Sequence, residues 1–202
     1  MKQLLVASLL AWVSSTALAN ATVGQPAPHF SATDTSGKTV SLADFKGKHV
    51  VLEWVNPGCP YVVKHYGAAN MQGTQKEATA KGVVWLALNS TSADHGDYRP
   101  PAAMAQWMQS QKAAATATLM DADGKVGRAF GARTTPHLYI IDPKGVLVYA
   151  GGIDNKATAN PADIATATNH VKVALNEALA GKPISQATTR PYGCSVKYGN
   201  GA

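Results

Sequence analysis

Two kinds of apolar run alternate along the chain. Residues 50–55 (Val50, Val51, Leu52, Glu53, Trp54, Val55) and 83–88 (Val83, Val84, Trp85, Leu86, Ala87, Leu88) are short, rich in β-branched and aromatic side chains, and nearly unbroken. Continuous apolar runs of that length suit strands covered on both faces. Between them, residues 60–81 have the length of a helix. Pro60 stands at its first position, where a missing N–H costs nothing, while Gly67 and Gly73 weaken its regularity. This stretch predicts a βαβ unit. After a loop over 91–101, Met104, Trp107 and Met108 keep helical spacing. Residues 137–141 and 146–149 flank the turn Asp142, Pro143, Lys144, Gly145 and predict a β-hairpin. Asn160, Pro161 and Asp163 open a helix predicted to run to Gly181, ahead of Pro183, with Ile164, Val171, Leu175 and Leu179 on one face.

Residues 23–48, rich in Gly, Pro, Ser, Thr and Asp, predict loops and a small edge hairpin around 38–42. The order β, α, β, α, β, β, α, with a parallel unit first and an antiparallel hairpin later, predicts an α/β fold: a central mixed sheet flanked by helices.

The amino terminus changes the picture of where the chain works. Lys2, an apolar run over 4–13 and the ending Ala17, Leu18, Ala19 are the three parts of a secretory signal peptide. The expected organisation is a signal peptide over 1–19, one domain over 20–185 and a carboxy-terminal tail over 186–202 carrying Cys194. Export, into the periplasm of a bacterium, is the expected localisation. No later run is long and apolar enough to predict a membrane span in the mature chain. Eighteen basic against 12 acidic side chains, without charge runs, favour solubility and carry no nucleic-acid signature.

Both cysteines, Cys59 and Cys194, lie beyond the leader, where an oxidising compartment permits a disulfide. Cys59 sits between a core strand and the predicted helix start at Pro60. Unpaired N–H groups and the positive end of the helix dipole stabilise a thiolate there. Lys64 and His65 add positive charge if they face the same way. Cys59 is therefore a candidate nucleophile; the bland alternatives are a buried inert thiol or one half of a permanent staple to Cys194. A loop of that length makes such a staple worth about 5 kcal/mol in the chain-entropy account. Thr135 and Pro136 precede the strand at 137–141. A cis bond there leaves backbone groups of Thr135 free to pair with an extended peptide, whereas an ordinary trans proline only bounds the strand. The six histidines are scattered, so no metal site is expected, although Cys59 with His137 would be the nearest approach to a copper site. Trp54, Trp85 and Trp107 read as core. No phosphate loop or Ser-His-Asp arrangement is present, and no cofactor is expected.

The residues Val23, Gly24, Ala27, Pro28, Phe30, Asp34, Gly37, Ser41, Leu42, Asp44, Lys46, Gly47 and Lys48 resemble the opening of the redoxin, or AhpC/TSA, family of the thioredoxin superfamily. Segments 59–66, 139–143, 149–155, 179–183 and 193–197 are similar to a peroxiredoxin-like subgroup of it. The resemblance implies a thioredoxin-like fold, a cis Pro136, and thiol redox activity centred on Cys59, with Pro60, Thr135 and Pro136 positioning the substrate. Two departures narrow the chemistry. The peroxiredoxin pattern has a hydroxyl residue three positions before the cysteine, where this chain has Asn56, and Pro136 occupies the register of the peroxide-stabilising arginine, with Arg133 nearby. A C-x-x-C dithiol is also missing: Val62 follows Cys59 by three, and Cys194 is the only resolving cysteine in the mature chain. The leading expectation is a thiol-disulfide oxidoreductase or weak peroxidase. It would act on protein disulfides or small hydroperoxides and draw on a thiol electron donor. The alternative is a non-enzymatic accessory protein with a structural Cys59 to Cys194 disulfide.

Overall fold

The computed structural model describes residues 21–199, so the expected signal peptide over 1–19 lies outside the described residues. In chain order the elements are β1 (Ser31–Asp34), β2 (Thr39–Ser41), β3 (Val50–Trp54), α1 (Pro60–Gly67), α2 (Asn70–Ala80), β4 (Val84–Asn89), α3 (Pro101–Ser110), β5 (Ala117–Met120), α4 (Lys125–Phe130), β6 (Thr134–Thr135), β7 (His137–Ile141), β8 (Leu147–Gly151), α5 (His170–Leu179) and β9 (Cys194–Ser195).

Seven strands form one mixed sheet in the order β2-β1-β5-β4-β3-β7-β8. β3 pairs in parallel with β4 and antiparallel with β7, so the strand leading into Cys59 is central. Its side chains alternate between two cores. Val51 joins Val62, Tyr66, Met71, Met104, Val171 and Leu175 under α1, α2, α3 and α5. Val50, Leu52 and Trp54 join Leu86, Leu119, Val126 and Phe130 on the α4 side. Both faces are covered, which is why the runs at 50–55 and 83–88 are apolar at nearly every position.

Three expectations change. The helix expected over 60–81 is two helices, broken at Ala68 and Ala69, with Ala69 in the left-handed region at φ 55°. Gln72 secures the break by donating from Nε2 to the carbonyls of Tyr66 and Gln111, at 2.8 and 2.7 Å. Gly73 interrupts nothing. The helix expected from Asn160 to Gly181 is a short 3₁₀ segment, Pro161–Thr166, followed by α5. Asn160 does cap that segment, but Asn169 is the cap of α5, accepting from the Lys172 N–H at 2.9 Å. Finally, β5 and α4 are additional elements. β5 buries only Thr118 and Leu119, of which Leu119 alone is apolar, and α4 is launched by Asp121, which accepts from the N–H groups of Val126 and Gly127.

Residues 186–199 pack back over the domain. The tail runs beside β8, where the Ala150 N–H donates to the Ala187 carbonyl at 3.0 Å and the Thr189 N–H to that of Ala150 at 3.2 Å. It then crosses to β6 as β9, and ends with Tyr198 Oη donating to the Ala132 carbonyl at 2.8 Å.

Candidate active site

Cys59 is the N-cap of α1, in extended backbone, with Pro60 at the first helical position. The preceding turn is held by Asn56, whose Oδ1 accepts from the Gly58 N–H at 2.8 Å. The residue that replaces a peroxiredoxin's hydroxyl thus shapes the turn. The Cys59 thiol donates to the Thr135 carbonyl at 2.9 Å, and the Thr135–Pro136 peptide is cis, as the resemblance implied. β9 brings the second cysteine to the same place: Thr135 pairs with Cys194 and Thr134 with Ser195 in an antiparallel ladder. The two cysteines, 135 residues apart in sequence, are neighbours, both as free thiols.

Their acidities diverge. Burial pushes the Cys59 thiol up. Hydrogen bonds from the Cys194 thiol and the Thr135 hydroxyl, with the N–H groups of Cys194 and Val62, outweigh it, so the net direction is down. Cys194 is pushed up to about 11, first by burial and then by the hydrogen bond and negative charge of Cys59. Cys59 is thus the more acidic thiol of the pair, and Cys194 is the one that holds its proton more tightly. The Thr135 hydroxyl is buried and has no other hydrogen-bond partner, so it is free to turn toward a thiolate.

Lys64 and His65 do not face the thiol. Both are buried on the inner side of α1, and the segment 154–156 and the tail hold them there. Lys64 Nζ donates to the Lys156 carbonyl at 2.9 Å and lies 5.6 Å from the centre of the Tyr192 ring. Tyr192 Oη donates to Asp154 Oδ1 at 2.5 Å and lies 3.0 Å from His65 Nε2, so the ring nitrogen is the donor of that second bond. Asn70 Nδ2 then donates to His65 Nδ1 at 2.8 Å. Burial holds the imidazole neutral, its pKa lowered to about 4, with Lys64 lowering it further and Asp154 opposing. This chain anchors the tail two residues before Cys194. Sequence reasoning missed it because its members come from three distant segments.

Close approach explains the glycines here. A Cβ on Gly193 would sit 2.0 Å from the Thr135 carbonyl oxygen, and Gly193 has φ 137°. A Cβ on Gly152 would meet the Arg190 carbonyl at 2.8 Å. The segments 149–155 and 193–197, singled out by resemblance, thus each take part in a close crossing: the first meets the tail at residues 189–191, and the second meets Thr135 beside Cys59.

Six residues before Cys59, Glu53 is fully buried. It accepts from Tyr66 Oη at 2.9 Å, Gln75 Nε2 at 2.9 Å and Trp85 Nε1 at 2.8 Å. Burial raises its pKa to about 7 against the lowering effect of those bonds. Trp85 in this sense is more than core. His137 is buried beside Tyr139 Oη at 3.1 Å and the Arg133 N–H at 3.3 Å, and Arg133 is exposed on that side, lining a cleft with His137 and Tyr139. Among the described residues no group of three or more His, Cys, Asp or Glu side chains is arranged to hold a metal ion. Outside the thiol, Gly58, Pro60, Val63 and Pro161 line an open cleft of about 540 Å³, with Val63 52% exposed.

Residues 23–150 match the AhpC/TSA family. The chain belongs to that family. Among curated relatives, it is 26% identical over 132 residues to the thiol-disulfide oxidoreductase ResA of Bacillus subtilis, covering 62% of this chain and 64% of that protein. The chain thus spans somewhat under two thirds of that relative. It is also 26% identical over 150 residues to the thiol:disulfide interchange protein DsbE of Pseudomonas aeruginosa, covering 72% of this chain and 76% of the relative. Among solved structures, an uncharacterized conserved protein from Geobacillus kaustophilus superposes with a TM-score of 0.75 at 27% identity, covering 90% of this chain and 94% of its own. A hypothetical protein from Sinorhizobium meliloti 1021 shares the fold with a TM-score of 0.75 at 23% identity, covering 91% and 98%. The mixed sheet with its flanking helices is a thioredoxin-like fold, which the chain shares with the thioredoxin domain of a thiol-disulfide oxidoreductase from Bacteroides vulgatus, at a TM-score of 0.50 and 25% identity over 64% of this chain and 87% of that one.

Proposed function

We propose that this redoxin is an exported thiol-disulfide oxidoreductase, with Cys59 as nucleophile and Cys194 as resolving thiol. The observation that carries the reading is the asymmetric pair: a thiol of lowered pKa at a helix start, against one raised to about 11, across the cis-proline. The Cys59 thiolate attacks one sulfur of a substrate disulfide, forming a mixed disulfide and expelling the other half as a thiolate that takes up a proton. Cys194 then gives up its proton and attacks Cys59 Sγ, forming the Cys59 to Cys194 bond and releasing the second half as a thiol. Two chain thiols are oxidised to one disulfide and the substrate disulfide is reduced to two thiols. An external thiol donor restores the chain. The order is built in: part of what raises Cys194 is the charge on Cys59, and that charge disappears once Cys59 enters the mixed disulfide.

Thr135 and Pro136 would position the substrate, and Pro60 holds the helix start that acidifies Cys59. The ResA and DsbE relatives support disulfides rather than hydroperoxides as substrates. Asn56 at the turn and the exposed Arg133 supply neither peroxide-orienting group. Export rests on the leader sequence; no described helix is long and apolar enough to cross a membrane. The test is exchange with a model disulfide by the purified chain. Cys59→Ser should abolish exchange, and Cys194→Ser should accumulate a mixed disulfide visible by mass. If neither substitution changes the rate, the reading fails.

The burial of Cys59, 1% exposed, favours one second reading, a static cross-link to Cys194. A reduction potential below roughly −300 mV would select it.

A further inference from the structure

The edge beside the cis-proline is already taken. Thr134 and Thr135 present the short backbone edge to which an extended peptide adds as a strand, and β9 pairs with both residues. The Val196 N–H continues the ladder to the Arg133 carbonyl at 3.0 Å, and the Lys197 carbonyl accepts from the Ser92 N–H at 2.8 Å. Cys194 stands where a docked peptide would place its own sulfur, facing Cys59, and under it Cys59 is 1% exposed. The segment is pinned at both ends by tyrosines. Tyr192 is buried against His65, Asp154 and Lys64, and Tyr198 lies over Arg128, 4.6 Å from the guanidinium carbon. Between the anchors, among the described residues, only a two-residue strand and the bonds of residues 196 and 197 hold the backbone.

We propose that residues 193–197 are an internal strand that occupies the polypeptide-docking edge of the active site, latched by Tyr192. A protein or peptide disulfide reaches Cys59 only when this strand lifts, whereas a small disulfide needs access to the sulfur but not the edge. The proposal rests on the reading of Cys59 as the nucleophile toward disulfides and adds which substrates the strand screens.

Gly193→Ala is the direct perturbation, because its Cβ at 2.0 Å from the Thr135 oxygen forces the strand off its edge without removing the tyrosine or either thiol. Tyr192→Ala releases the latch by a different route. In both, alkylation of Cys59 by iodoacetamide, followed by peptide mapping, should be at least tenfold faster than in wild type. The kcat/KM for a disulfide-linked extended peptide, divided by that for oxidised glutathione, should rise at least fivefold. Unchanged alkylation in Gly193→Ala, with the near-ultraviolet circular dichroism of wild type, overturns the proposal, as does faster alkylation with an unchanged ratio. If neither substrate is turned over by any form, the function fails while the alkylation still decides whether the strand covers Cys59.

Discussion

Glu53 makes the pH dependence of stability a measurable consequence of the core. Its carboxyl has a folded pKa of about 7 against 4.5 in the free residue. Below pH 4.5 the folded and unfolded states both hold the proton, and Glu53 contributes no slope. Between 4.5 and 7 the unfolded chain releases it while the folded chain keeps it, so stability falls as pH rises. Above 7 both states are ionised and the loss is complete. At about 1.4 kcal/mol per unit, a gap of about 2.5 units amounts to about 3.5 kcal/mol in full, most of it lost between pH 4.5 and 7.5. His65 and His137 act oppositely. Burial depresses both, so their unfolded forms bind protons that the folded forms refuse, and they favour rising stability as pH climbs toward 6.5. The wild-type curve alone therefore conceals Glu53. Glu53→Gln isolates it: the amide oxygen can accept from Trp85 and Gln75 while its NH₂ donates to Tyr66 Oη. Urea unfolding of both proteins at pH 4.5, 5.5, 6.5 and 7.5 should show the variant gaining about 3 kcal/mol relative to wild type across the series. A difference that stays constant with pH would refute the assignment of a raised pKa to Glu53.

Two further outcomes follow from the site. Thr135→Val removes the hydroxyl that lowers the Cys59 pKa but keeps the backbone carbonyl and the side-chain shape; the midpoint of the pH profile of Cys59 alkylation should move up, and an unmoved profile would show that the hydroxyl does not serve the thiolate. Tyr192→Phe deletes the donor to Asp154 and the acceptor for His65, leaving a buried carboxylate short of partners. Its urea midpoint should fall by an amount equivalent to about 2–3 kcal/mol, and a loss under about 0.5 kcal/mol would show that the tail is not anchored there.

What was readable in the sequence were features a few neighbouring residues carry. The runs at 50–55 and 83–88 announce central strands because both faces of the sheet are covered. Cys59 before Pro60 announces a thiol at a helix start. Helix boundaries were less legible where a tertiary contact decides them. Gln72 reaches the Tyr66 carbonyl and ends α1, and Asn169, not Asn160, begins α5 because the chain at 154 pairs with 169. β5 escaped because a four-residue strand with Thr and Ala has no period of its own. The hydrogen-bonded group of His65, Asp154 and Tyr192 escaped for a stronger reason: nothing local marks a buried polar chain assembled from α1, the loop after β8 and the tail. Lys64 and His65 follow the thiol on the same helix, and their spacing alone does not fix whether they face it. They point inward, since the tail offers them partners that water-facing positions would not.

The distance of Cys194 from Cys59 in sequence has a mechanical meaning. In a C-x-x-C dithiol both sulfurs sit on one rigid helix start, so uncovering the nucleophile and presenting the resolving thiol are independent. In the proposed mechanism the resolving thiol rides on the strand that covers the nucleophile. Lifting that strand to admit a polypeptide also removes Cys194 from reach of Cys59, which prolongs the mixed disulfide; its return both resolves the intermediate and closes the edge. Gly193, with no Cβ to hold it away from the Thr135 carbonyl, lets one segment serve both purposes. A substitution there should thus lengthen the life of the mixed disulfide even as it speeds the first attack.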